Sequence, residues 1–228
     1  MKKKQLYQKR TSVSKNEDKE PLPCSRFKTL PKKKPIPPKE TSSPLFQSTV
    51  VPIGPKKHVK AFQNCTGCPL HALTTQKVFY RGSNSPKVLF VGEAPGESED
   101  ACGMPFMGVS GRLLNQAFAD AKIPMEARAI TNAIACTPFT DTSRSTIRTP
   151  TKEEIKACSP RLKDLINSTS PVKLVALGDK ASQALKLLKV DFLHLMHPAF
   201  ILRKGGTESV DYKRFVLQLR KLKQEMGL

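Results

Sequence analysis

Two groups of residues in this sequence have the types and spacing to do chemistry. Cys65 and Cys68, in Cys-Thr-Gly-Cys-Pro-Leu, have the spacing of half a metal or cluster site. About one strand later comes Gly92-Glu93-Ala94-Pro95-Gly96-Glu97-Ser98-Glu99-Asp100, a tight, acid-rich turn behind an apolar run. Together they suggest a cluster-bearing enzyme. A Cys-x-x-Cys pair alone fits zinc, an iron–sulfur cluster, a redox pair or chance, and a tetrathiolate site needs a second pair. Cys136 and Cys158 are the best candidates, each at a strand end or early in a helix and flanked by Pro138 and Pro160. Cys24 lies in a basic N-terminal stretch, and Cys102 sits inside the Gly-rich loop, where an ordinary small residue is expected.

Charge distribution divides the 228 residues. Residues 1–60 hold 16 Lys or Arg against 4 Asp or Glu, with 9 of the 19 prolines, and cannot bury a core. They read as a disordered basic tail, densest at 31–35, ahead of a folded domain over 61–228. Of the net charge of +20, the tail carries +12 and the remainder +8, which favours a polyanionic partner, nucleic acid first. A lysine cluster of this kind also suits a solvated arm or a nuclear address. No run reaches the roughly eighteen apolar residues of a membrane span, and no apolar segment follows the Lys-rich start to make a secretory signal. The expectation is an intracellular protein without membrane association, cytoplasmic or nucleoid-associated, and nuclear in a eukaryotic host. Six cysteines in a reducing compartment favour metal ligation over disulfides.

These residues need elements to position them. The continuous apolar run 87–91 reads as a strand buried on both faces, with further strands over 129–134, 173–177 and, more weakly, 191–195. Helical spacing appears over 110–121, where Leu113, Leu114 and Phe118 recur, from Thr151 to about 165 behind a capping signature, over 182–188, and over 209–223. Strands alternating with helices imply parallel pairing. The expected fold is therefore α/β, one three-layer domain with a roughly four-stranded, mainly parallel sheet flanked by helices. Ligands in such sheets sit beyond the carboxyl ends of the strands, which should bring the Gly92 turn, Asn132 and the His197 loop to one cleft.

Six segments in series resemble the family 4 uracil-DNA glycosylases. They are Cys-Thr-Gly-Cys-Pro-Leu-His (65–71), Val-Gly-Glu-Ala-Pro-Gly-Glu-Ser-Glu-Asp (91–100), Gly-Met-Pro-Phe-Met-Gly-Val-Ser-Gly-Arg-Leu-Leu (103–114), Thr-Asn-Ala-Ile-Ala-Cys-Thr-Pro (131–138), Leu-Gly-Asp-Lys-Ala (177–181) and His-Pro-Ala-Phe (197–200). Each alone is weak; in order, and covering about 61–220, they are specific. The resemblance implies that Cys65, Cys68, Cys136 and Cys158 ligate a structural [4Fe-4S] cluster remote from the reaction, with zinc the alternative filling. The interval from Cys136 to Cys158 is longer than the family pattern, through extra residues around 139–148.

Base removal requires flipping the nucleotide into a pocket that stacks the ring and reads its polar edge. The resemblance implies that Phe106 lies against the uracil face, although a core phenylalanine anchoring the loop would look the same. Asn132 at a strand end offers donor and acceptor together, as the O4 and N3 edge of uracil needs, while an asparagine closing a turn is the commoner use of that residue. Gly92 and Glu99 complete the expected substrate contacts. His197 matches the family's histidine motif and would donate to the departing uracil, with Pro198 restraining its backbone; His194 is a surface histidine of the ordinary kind. Glu93 is the first choice for orienting water or the base edge and Glu99 the second, whereas Glu97 and Asp100 read as helix-dipole complements. Where the best-known uracil-DNA glycosylases carry a water-activating Asp in this turn, this chain has Ala94, as the family 4 pattern does.

DNA contacts are expected from Ser110 and Arg112 at a helix start, from Arg203 and Lys204 after the histidine motif, and from the tail. Phe200, Ile201 or Leu202 could wedge into the duplex or simply pack a helix. The expected function is release of uracil from single- or double-stranded DNA by a monomeric, monofunctional enzyme, leaving an abasic site. The alternative is a glycosylase fold that binds DNA or recruits a partner without turnover.

Overall fold

The computed structural model describes residues 55–228, all within one compact unit. The expected basic tail, and Cys24 with it, lies outside the described residues as far as 54. Its last residues are helical: α1, Lys56–Phe62, begins inside the stretch expected to be tail. Buried His58 holds that helix down, its Nδ1 standing 2.6 Å from Asp164 Oδ2 and its ring edge-on to Phe79. A lysine-rich segment with one buried face is hard to tell from a solvated one by composition.

Five strands form the sheet, in the order β1-β3-β2-β4-β5. The expected four are β2 (Val88–Gly92), β3 (Arg128–Asn132), β4 (Lys173–Leu177) and β5 (Leu193–Leu195), all parallel. The fifth, β1 (Arg81–Gly82), pairs antiparallel on the β3 edge and is too short to carry an alternation signal. Consecutive residues of β2 feed opposite faces, Val88 and Phe90 one core, Leu89 and Val91 the other. The first core packs against α3 (Val109–Ala121) and α7 (Val210–Glu225) through Leu114, Phe118, Phe215 and Leu219. The second packs against α4 (Lys152–Thr169) and α5 (Asp179–Leu187) through Leu162, Leu165, Ala181 and Leu185. Two short helices, α2 (Glu97–Cys102) and α6 (Pro198–Arg203), occupy motifs that carried no helical periodicity. No helix among the described residues is long and apolar enough to cross a membrane.

This topology fixes where a ligand can go. The chain leaves β2 for β3 on one side and then crosses to β4 on the other, so the switch point lies between β2 and β4, at their carboxyl ends. Register sets Gly92 directly beside Asn132 at that end.

Gly111, in the first turn of α3, shows how tightly the loop before it is held. A Cβ there would overlap the carbonyl oxygen and Cα of Phe106, whose φ of 58° is already left-handed. Alanine would gain about 0.5–1 kcal/mol of helix propensity, but the overlap should cost about 1–3 kcal/mol or more. Gly111→Ala is therefore expected to lower stability, read as a reduced denaturant midpoint at unchanged slope.

Candidate active site

A cavity of about 190 Å³ opens at the carboxyl ends of the strands, lined by Glu93, Ala94, Pro95, Gly96, Glu99, Phe106, Ser110, Asn132, Ile147, Arg148 and His197. The sequence-predicted Glu93, Glu99, Phe106, Ser110, Asn132 and His197 thus share one wall. Gly92 lies beneath them. A Cβ on it would stand 2.5 Å from Asn132 Oδ1 and 2.5 Å from Phe106 Cε2, so only glycine lets both side chains close over the strand end.

Asn132 is 1% exposed, and its Oδ1 is buried with no hydrogen-bond partner. Leaving an acceptor buried and unpaired costs about 1–3 kcal/mol, so such a group at a cavity wall waits for a donor. Phe106, itself 5% exposed, faces the His197 ring at a centroid distance of 6.0 Å and an interplanar angle of 34°.

His197 is the N-cap of α6. Its Nδ1 accepts the Ala199 N–H at 3.1 Å, so in the neutral ring the proton resides on Nε2. Burial first, and the Arg203 guanidinium second, pull this imidazole down to about 4. Gly178 at φ +86° supports the ring from below, its absent Cβ leaving room for His197 Cβ at 2.9 Å. At neutral pH His197 is a neutral hydrogen-bond donor.

Glu93 is partly buried, and that burial raises its carboxyl above the usual range, against a smaller pull downward from Lys180 and a push upward from Asp179. Glu99 is committed elsewhere. Its Oε1 accepts the Met107 and Gly108 N–H groups, each at 2.7 Å, and its Oε2 accepts the Gly96 N–H at 3.0 Å. This carboxylate braces the Phe106 loop against the Gly96 turn, although the sequence suggested a substrate contact. Asp100 does similar work on another loop, accepting from Thr74 Oγ1 and the Thr75 N–H.

Of the expected DNA contacts, Arg112 is exposed on α3, while Arg203 and Lys204 flank the 38%-exposed Phe200, with their cationic groups 6.0 Å and 5.5 Å from its ring. His194 is exposed, 3.4 Å from Asp179. Two cavity residues were missed in the sequence. Ile147 and Arg148 come from the far end of the lengthened loop, which folds back through a Phe139–Ile147 bridge. Arg148 is locked there by Glu154, Nη1 to Oε2 at 2.8 Å and Nη2 to Oε1 at 2.6 Å. The Thr151–Glu154 capping box was legible; that the same carboxylate also anchors an arginine six residues earlier was not.

Cys65, Cys68, Cys136 and Cys158 line a second cavity on the α4 side, with Phe62, Phe79, Lys77 and Arg161. Burial pushes the Cys136 thiol up to about 12, and the neighbouring Cys158, Cys68 and Cys65 add to that rise. Among the described residues, no three His, Cys, Asp or Glu side chains are gathered tightly enough to hold a single metal ion.

Residues 79–220 match the family described as "Uracil DNA glycosylase superfamily". The chain belongs to this superfamily. It is 38% identical over 123 residues to the Type-4 uracil-DNA glycosylase of Pyrobaculum aerophilum, covering 54% of this chain and 60% of that one. The Type-4 uracil-DNA glycosylase of Thermotoga maritima is 34% identical over 173 residues, 68% of this chain and 85% of its own length. That of Archaeoglobus fulgidus is 35% identical over 125 residues, 55% and 60% respectively. The chain thus spans 60% of the length of two of these relatives and 85% of the third.

The depressed imidazole has a consequence for folding. An unfolded histidine takes up its proton near 6.5, and His197 in the folded protein only near 4. The unfolded state therefore binds more protons between these values, so His197 should cost stability as the pH falls from about 6.5 toward 4. Melting temperatures measured between pH 7.5 and pH 4.5 should drop more steeply for the wild type than for His197→Gln.

Proposed function

We propose that this chain is a monofunctional uracil-DNA glycosylase that flips uracil out of DNA and hydrolyses its N-glycosidic bond. The observation that carries this reading is the unpartnered Oδ1 of buried Asn132, beside Phe106 and His197 in one cavity. Uracil N3–H is a donor matched to that oxygen, and O4 an acceptor matched to the amide nitrogen of the same side chain. Phe106 gives the base a ring to stack on.

The chemistry follows from charge. As the C1′–N1 bond breaks, the sugar gains oxocarbenium character and the base takes the electron pair, with negative charge spread to O2. The neutral His197 donates Nε2–H to O2, stabilising the departing anion without having to lose a proton at working pH. Water adds to C1′, and the proton it releases balances the one the base takes up. Glu93 is the one wall carboxylate whose oxygens are not bound by backbone amides, and it orients that water and stabilises the cationic sugar. Ala94, lying next to it, supplies no second carboxylate.

DNA, single- or double-stranded, is the expected partner of a monomer. Ser110, Arg112, Arg203, Lys204 and the basic stretch 1–54 would meet its phosphates.

The four cysteines would hold a [4Fe-4S] cluster. The fit rests on the donor set: four thiols share one cavity, where burial first and the neighbouring thiols second make Cys136 and Cys68 costly to ionise, a cost that a cationic iron core would offset. Zinc, held by the same four thiolates at about 2.3 Å, is the alternative filling. Held by Cys65 and Cys68 before β1, Cys136 after β3 and Cys158 on α4, such a cluster would supply stability, not turnover.

A uracil-containing oligonucleotide, incubated with the full chain and then cleaved by alkali at abasic sites, tests this function. Strand cleavage is expected from the wild type. His197→Ala and Asn132→Ala should each lower the rate by about 10²–10³, and Glu93→Gln by about 10²–10⁴, all with unchanged circular dichroism. An inert wild type that retains the cluster's visible absorbance would favour a DNA-binding protein without turnover.

A further inference from the structure

Arg161 stands between the two cavities. It lies on α4, three residues after Cys158, is 2% exposed, and lines the cysteine cavity. Its Nη1 donates to Thr131 Oγ1 at 3.0 Å, and its Nη2 donates to the carbonyl of Ala133 at 3.0 Å and to that of Asn132. One edge of the guanidinium thus grips the end of β3, the residues that aim Asn132 into the active site. Its remaining edge is idle. Nε–H is buried without an acceptor, and no carboxylate pairs with this cation among the described residues.

A buried cation with an unmade hydrogen bond is costly unless something else supplies charge and an acceptor. Besides Lys77 and His71, the polar groups sharing its cavity are four thiols, which bear negative charge once they ligate and are the one source of anionic acceptors there. Groups that hydrogen-bond the ligands of a metal centre orient them and set its properties. We propose that Arg161 is a positioning residue that couples the cluster site to base recognition: Nε–H donates to a sulfur of the filled site, while the two Nη groups hold Asn132 in its reading position. Filling of the cysteine site is then felt at the uracil edge through one side chain. This deepens the uracil-excision reading and rests on it.

The test compares cluster-loaded wild type, Arg161→Gln and Arg161→Lys as full chains. Resonance Raman bands of the Fe–S stretches report hydrogen bonding to sulfur, and steady-state excision of uracil from an oligonucleotide reports base recognition. Arg161→Gln should retain iron, shift the Fe–S bands and raise KM by about tenfold, with a smaller change in kcat. Arg161→Lys keeps the charge but has no planar fork to serve a sulfur and two carbonyls at once. It should keep KM raised and the bands shifted, so it decides the matter alone if the glutamine variant does not fold. Wild-type bands in the variants, or shifted bands with wild-type KM, would overturn the coupling. A wild type that excises no uracil would sink the activity reading alone, and the Raman bands would still decide whether Arg161 meets the cluster.

Discussion

The active site depends on a missing atom. Gly92 ends the central strand beside Asn132, and the space its Cβ would fill is occupied from one side by the Asn132 amide and from the other by the Phe106 ring. Both contacts would be lost with any larger residue. The rest of the cavity is built to deliver those two groups to that point. Gly111 accepts the Phe106 backbone above the first turn of α3, and Glu99 pins the N–H groups that follow Phe106. Gly178 performs the equivalent service at the end of β4, where its bare Cα lets His197 lie down. The strand ends bring the groups together, and the glycines set how closely.

One crossover serves both cavities. The chain leaves β3 at Asn132, supplies Cys136, runs out through the lengthened loop, returns Ile147 and Arg148 to the active-site wall, and enters α4 with Cys158 and Arg161. Cysteine ligation at both ends of this excursion would fix the loop's base. Arg148 on Glu154 and Arg161 on the Asn132 carbonyl then fix its approach to the active site. On this view a cluster held by these cysteines would need no part in bond breaking to matter for recognition.

Much of this was legible in the sequence because parallel strands buried on both faces leave unbroken apolar runs, and β2, β3 and β4 fell where those runs lie. The convergence of Gly92, Asn132 and His197 followed from the strand-end rule, and the cysteine set from the motif resemblance. The short elements were mostly not legible, α2 showing only in the reading of Glu97 and Asp100 as helix-dipole complements. β1 has two residues, and α2 and α6 have six each, fewer than two helical turns. α1 hides its buried His58 among lysines. Long-range polar contacts left no local trace, so Glu99 looked free for substrate when backbone amides from two loops already held it. Arg161, seemingly one basic residue among many, is buried between the cysteine cavity and the end of β3.

The claim that the close approach at Gly92 makes the base-reading slot is tested most directly by Gly92→Ala. Under single-turnover conditions on a uracil-containing oligonucleotide, the variant should keep its fold and cluster absorbance while excision slows by about 10²-fold, the scale set by a misplacement of about 1 Å. Excision at the wild-type rate by a folded Gly92→Ala protein would contradict the account.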